Sequence, residues 1–261
     1  MKNNGIIPPH FLYFLENEDI EIKNLKSGDC NNPNSYDRAI IKFPYCNSTF
    51  DIQIIFSNLD YSLPPDFIPL VNCDQLIINY TTLIKGWNFR ESSSLYYTVK
   101  KIKDEYANIM IKKAIYFLDD KNASEDHNHE NIYNYLSDWL NFLMNKPNGK
   151  SLEVALNFDK KKYEIAFSYP VDIIIRSRSI ERRPILNIIC DMADMTYSIS
   201  LKVPKYITID SLDLKFNETL KDFRSFKGII NKYEVNITEY FQKMANRELL
   251  TQKILNMSKL I

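Results

Sequence analysis

Four cysteines, three histidines and one local run of arginines are the side chains of this chain that could carry site chemistry. Cys30, Cys46, Cys73 and Cys190 are widely spaced and form no C-x-x-C pair. Free thiols in a reducing compartment are the simplest reading. A thiolate nucleophile needs a basic neighbour to lower its pKa, and Cys73 has no His or Lys close in sequence. A small buried apolar residue is the plainer role for it. His127-Asn128-His129, flanked by Asp126 and Glu130, has the residue types of a metal site. It stands in a polar stretch with no cysteine partner, so an exposed linker is the expectation and no metal is assigned. His10 lies beside two prolines and reads as structural or exposed. Arg176, Arg178, Arg182 and Arg183 form the basic cluster. A solvated loop competes there with an interface for an acidic partner, since arginine is enriched at interfaces. Neither a glycine-rich phosphate loop nor G-x-S-x-G occurs, and no cofactor is expected.

The chain has 261 residues, enough for one large domain or two ordinary ones. Lys+Arg and Asp+Glu are both 33, so bulk charge draws it to neither nucleic acid nor an anionic membrane. Aromatic residues make up 13% and there are only five glycines, which suits a packed chain. The first residues show no basic-then-apolar leader, and no apolar run is long enough to span a bilayer. N-x-[ST] triplets such as Asn79-Tyr80-Thr81 are expected by chance in an Asn-rich chain.

Residues 1 to 24 predict a short helix or an arm. Ala39, Ile41, Phe43 and Tyr45 alternate, as do Phe50, Ile52, Ile54 and Phe56, which predicts an antiparallel hairpin turning at Cys46 to Thr49. Pro64-Pro65 fixes φ and removes two amide donors, so the sheet is expected to stop there and the chain to run irregularly to Trp87. Ser92-Ser93-Ser94 offers capping hydroxyls to a helix that runs to about Leu118, whose apolar positions recur from Leu95 to Ile109. Lys100, Lys101, Lys103 and Asp104 form its solvated face. A second helical stripe runs from Ile132 to Leu143 and ends at Lys146-Pro147-Asn148-Gly149. A second meander follows, with strands at 152–158, 163–167, 185–189 and 197–203, and a helix from about Asn231. Meander and helix therefore occur twice, a repeat of architecture rather than of sequence.

The meander, the Tyr61-x-x-Pro64-Pro65 step, the irregular span, Trp87 and the long helix resemble the ubiquitin-conjugating (E2) fold in its E2-variant form. More narrowly, the chain resembles the BRE family, E2-variant scaffold subunits of the BRISC and BRCA-associated deubiquitinase assemblies. The residues that carry this are Asn24-Leu25-Lys26-Ser27-Gly28, Tyr36-Asp37-Arg38, Phe43-Pro44-Tyr45 and Asp51 to Phe56. Leu63-Pro64-Pro65-Asp66-Phe67-Ile68, Gly86-Trp87-Asn88 and Tyr169-Pro170-Val171-Asp172 continue it. The likeness spans most of the chain and is specific mainly before residue 120. It implies an α+β fold of two consecutive E2-variant or RWD-like domains, 1–147 and 148–261, each an antiparallel meander packed on helices. Tyr61, Pro64, Pro65 and Trp87 are its signature.

An E2 needs a cysteine thiolate and a nearby Asn that stabilises the thioester oxyanion. The family's cysteine falls near Asn79, where no cysteine stands, and His-Pro-Asn is absent from the chain. Cys73 lies too close to Pro65 to replace it. The resemblance thus implies a scaffold without catalytic residues. It would bridge an Abraxas-type partner and a JAMM-type zinc deubiquitinase specific for lysine-63-linked ubiquitin, in cytoplasm and nucleus, with the zinc held by the partner. The alternative is a module that binds ubiquitin directly. Family members carry a further E2-like domain at the C-terminus, to which contact with a small von Willebrand-type partner is attributed. A truncated or short form is the expectation for a chain ending at Ile261.

Overall fold

A computed structural model describes residues 9–15, 20–28, 31, 36–57, 62–71, 73, 76, 85–122, 130–159, 162–175, 178–179, 183–203 and 218–258. The fold is mixed α+β, built on two main antiparallel sheets. It divides into two compact units, Met1–Ile111 and Lys112–Ile261.

In the first unit α1 (Pro9–Leu15) precedes a four-stranded meander in the order β1-β2-β3-β4. Its strands are β1 (Glu21–Lys26), β2 (Arg38–Tyr45), β3 (Ser48–Ile55) and β4 (Asp66–Pro69). The alternating residues of β2 and β3 all turn to one face, where Ile41, Phe50, Ile52 and Ile54 are fully buried. Each such side chain contributes about 1.5–3 kcal/mol, so a slip of one residue is strongly disfavoured. The hairpin turn is tighter than expected: Tyr45 pairs with Ser48, and Cys46 takes the positive φ of 49° that such a turn demands.

The inner face is covered by α1 and by α2 (Ser94–Asn122). Phe11 meets Phe56 edge-on at 5.4 Å, Phe14 meets Phe43 at 5.8 Å, and Tyr106 of α2 meets Tyr45 at 4.9 Å. The serine run starts the helix in an unexpected way. The Ser93 carbonyl accepts the first helical bond, from Tyr97 N, while the Ser94 hydroxyl turns back to accept Asn88 N at 3.0 Å.

Two expectations are corrected in this unit. The sheet does not stop at Pro64-Pro65, because β4 begins at the next residue and pairs with β3 from Ile55↔Asp66 to Ile52↔Pro69. The prolines occupy the crossover between antiparallel strands, where no ladder donor is required of them. Strand β1 falls where only a helix or arm was expected. It is an edge strand with no buried residue, so it has no apolar alternation to read. A bulge between Lys23 and Lys26, with Asn24 at φ 51°, bends it.

The second unit repeats the order helix, meander, helix. Its helices are α3 (Glu130–Met144) and α4 (Phe226–Ser258). Between them lie β5 (Glu153–Asp159), β6 (Lys162–Pro170), a small ribbon of β7 (Ile174–Ile175) and β8 (Arg178–Ser179), then β9 (Ile185–Asp191), β10 (Thr196–Lys202) and β11 (Glu218–Leu220). The main sheet has the order β11-β10-β9-β6-β5. The apolar run of β9 is a central strand, as its sequence predicts. The ribbon and β11 are too short to be read from periodicity. Helix α4 starts at Phe226, five residues before Asn231, after a 3-10 turn capped by the Asp222 side chain on Arg224 N.

The division between units falls inside α2, whereas the sequence places it after Pro147. The reason is Trp139 of α3, which packs on Tyr197 and stacks on Phe223 and Phe226, so that α3 shares the second core.

Candidate functional site

The Pro-Pro step and the tryptophan are brought together. Trp87 donates its indole N–H to the Ser62 carbonyl at 3.0 Å, just before Pro64 and Pro65. The indole ring also packs on His10 at 4.8 Å and Phe56 at 6.0 Å. Asn88 then forms a turn, its carbonyl accepting Glu91 N and its side chain accepting Arg90 N. A crossover, a tryptophan and a helix start are thus locked at one end of the sheet. Tyr61, the fourth signature residue, lies outside the described residues, as does Asn79.

Cys73 belongs to this unit but not to this lock. Its side chain is 8% exposed. Burial, together with the nearby Cys73 and Cys46, raises the Tyr106 hydroxyl above its ordinary value. Cys190 in the second unit is fully buried, and burial alone pushes its thiol well up, away from the thiolate a nucleophile needs. The His127 and His129 stretch lies outside the described residues. Among the described residues, no group of three His, Cys, Asp or Glu side chains is placed to hold a metal. Among them too, no helix is long and apolar enough to cross a membrane.

The outer face of the first sheet was not anticipated as a site. The register lines up Lys23, Ile40, Gln53 and Ile68 in one row and Glu21, Lys42 and Asp51 in the next. Leu70 continues the second row, its N–H bonding Asp51 O. Ile68 is 43% and Leu70 47% exposed, and Ile40 and Ile55 are half-buried on the same face. The face is therefore mixed: Ile40, Ile55, Ile68 and Leu70 are interleaved with Gln53 and Asp66, while the row of Glu21, Lys42 and Asp51 is charged and internally paired. Lys42 meets Asp51 at 2.7 Å, and Lys23 meets Glu21 at 3.2 Å. Burial would raise the Asp51 carboxyl, but hydrogen bonds from Lys42 and Thr49 and the charges of Lys42 and Lys23 outweigh it and hold the carboxyl low. The signal for this surface was present in the alternation of Ile68 and Leu70, masked by the expectation that the prolines end the sheet.

The arginine cluster resolves only in part. Arg176, Arg182 and the Arg178 side chain lie outside what is described, although Arg178 itself is in β8. Arg183 is committed within its own unit. Its guanidinium donates to Asn148 Oδ1 at 2.5 Å and stands 3.6 Å from Asp172. Asn148 in turn donates to the Pro170 carbonyl. Beside them Lys146 bonds Asn231 and Glu234 of α4, and Tyr169 hydrogen-bonds Glu234. The Tyr169-Pro170-Val171-Asp172 step is thus an internal polar clamp. An open groove of about 340 Å³ nearby is lined by Asp138, Asn141, Phe142, Asn145, Lys146 and Lys227. Lys227 is paired with Asp138 at 3.4 Å, so both of its lysines are engaged.

No family model matches the chain, and no curated protein matches it.

Proposed function

We propose that this chain is a non-catalytic scaffold of the ubiquitin E2-variant class, similar to the BRE family. In this reading it bridges an Abraxas-type partner and a JAMM-type zinc deubiquitinase that acts on lysine-63-linked ubiquitin, in the cytoplasm and nucleus. The observation that carries the reading is the place of Pro64-Pro65. The step sits between the third and fourth strands of a meander and is tied through Ser62 to Trp87, which leads into the long helix. The same order of helix, antiparallel meander and helix in the second unit supports two RWD-like domains. Burial of Cys73 favours a structural thiol over a nucleophile.

The test is co-expression with an Abraxas-type subunit and its metalloprotease, followed by size-exclusion chromatography. Co-elution is expected, and the Cys73→Ala chain should co-elute equally. Separate elution of all three would remove the scaffold reading.

Direct binding of ubiquitin is the second reading, favoured by exposed Ile68 and Leu70 and half-buried Ile40 and Ile55 on one sheet face. These side chains share one sheet face and meet diagonally across Gln53 and Asp66, a mixed apolar and polar surface of the kind an interface uses. A titration of labelled chain with free ubiquitin would show shifts confined to this face. Shifts nowhere on the first sheet would exclude it.

A further inference from the structure

The one histidine among the described residues is buried without a partner for one of its nitrogens. His10 is 4% exposed, on a helix whose other side chains are uncharged. Its ring lies edge-on to Trp87 at 4.8 Å and stacks on Phe56 at 5.8 Å. Nδ1 is buried without a hydrogen-bond partner, and the Ser92 backbone is the polar group that interacts with the ring. Protonation would place a charged N–H on Nδ1 among aromatic rings with no acceptor. A buried unpaired charge of this kind is expelled rather than tolerated.

We propose that α1 is a latch released by acid: protonation of His10 undocks it from the first sheet and uncovers Phe43, Phe56 and Trp87. This inference is independent of the scaffold reading.

Among the described residues, the groups facing His10 add no counter-charge. On the β2 side Asp37 adjoins Phe56, whose N–H bonds the Asp37 carbonyl at 2.7 Å. Its carboxylate is already held by Arg38 at 3.2 Å and by Gly28 N at 2.7 Å. The segment before α2 offers Lys85, Arg90 and Glu91, all exposed, with Arg90 lying over Phe89. From α2 comes Tyr96, which packs on Tyr13 and Phe14. Burial lowers the imidazole below its ordinary value, and the Ser92 bond opposes this without reversing it. The sign follows. The docked state binds fewer protons than the released state, so docking is intact above about pH 6.5 and weakens as pH falls below it. Each further pH unit, down to the docked pKa, multiplies the released fraction by up to about tenfold.

The test is hydrogen exchange of the full chain at pH 7.5 and 5.0, corrected for intrinsic rates, with a histidine NMR titration. The expected result is a loss of protection over residues 9–15 of at least about tenfold, while β2 and β3 stay protected. The His10 midpoint should fall below about 6.5. His10→Phe, which keeps a ring, and His10→Gln, which keeps a donor for Ser92, should both abolish the pH effect. Equal protection of α1 at both pH values would overturn the latch. So would a midpoint at or above 6.5, loss of β2 and β3 together with α1, or the same loss in both variants.

Discussion

Trp87 reaches across 25 positions of chain to donate its indole N–H to the Ser62 carbonyl. This bond fastens the entry to α2 onto the crossover that carries Pro64 and Pro65. Phenylalanine keeps much of the ring packing but cannot donate. Trp87→Phe should therefore cost about 1 kcal/mol, the ordinary net worth of one hydrogen bond. Trp87→Ala should cost more, about 2 kcal/mol, below the 3–5 of a fully buried aromatic because the ring is half-exposed. Urea denaturation followed by circular dichroism would measure both.

Gly149 follows α3 where the chain turns back, its N–H bonding the Lys146 carbonyl at 2.8 Å. It has no positive φ, so the need for glycine here is one of space. A Cβ would overlap the Met144 carbonyl oxygen, which is backbone and has no rotamer to escape by. Gly149→Ala should destabilise the second unit by about 1–3 kcal/mol. Proteolysis or exchange in β6 and β9 should report the loss there and not in β2 and β3.

Tyr169 is buried against Glu234. Burial first, then the charge of Glu234, its hydrogen bond and the charge of Asp172, raise the hydroxyl well above its ordinary value, against a smaller opposing pull from Arg183. A raised folded pKa favours the protonated form. Its stabilisation is full below the unfolded value of about 10 and is lost as pH rises past it. The urea midpoint should drop above about pH 10, and Tyr169→Phe should flatten that drop at the expense of about 1 kcal/mol near neutrality.

Ile68 and Leu70 point outward from an edge strand and bury little in their own unit. Ile68→Asp with Leu70→Asp should leave stability within about 0.5 kcal/mol per site. Any partner seated on the outer face of the first sheet should be lost. Calorimetry of the double variant, beside binding to ubiquitin or to the Abraxas-type subunit, separates the two effects. A fall in melting temperature of the size a core mutation gives would mean that these side chains are structural.

Strands β2, β3, β5, β6, β9 and β10 and helices α2, α3 and α4 follow from periodicity. Burial on one face forces alternation in a strand, and burial of one stripe forces 3.6-residue spacing in a helix. β1 and β4 escaped because an edge strand buries one row of residues or none, so its composition is free to vary. The prolines mark a break after β3 and predict irregular chain beyond it, but whether a strand followed depended on β3 having an unpaired edge to offer. Likewise, no pattern in the chain says that Trp139 closes the second core rather than the first. His10, next to two prolines, gave no hint of burial, which required Phe56 and Trp87 to meet it from distant parts of the chain. In sequence Arg183 is one of four like cations, whereas in the fold Asn148 and Asp172 hold it. Local order is written in the spacing of apolar residues because each residue answers to its own solvent exposure. Which polar group is committed and which is free depends on neighbours remote in sequence, and only the packed chain decides that.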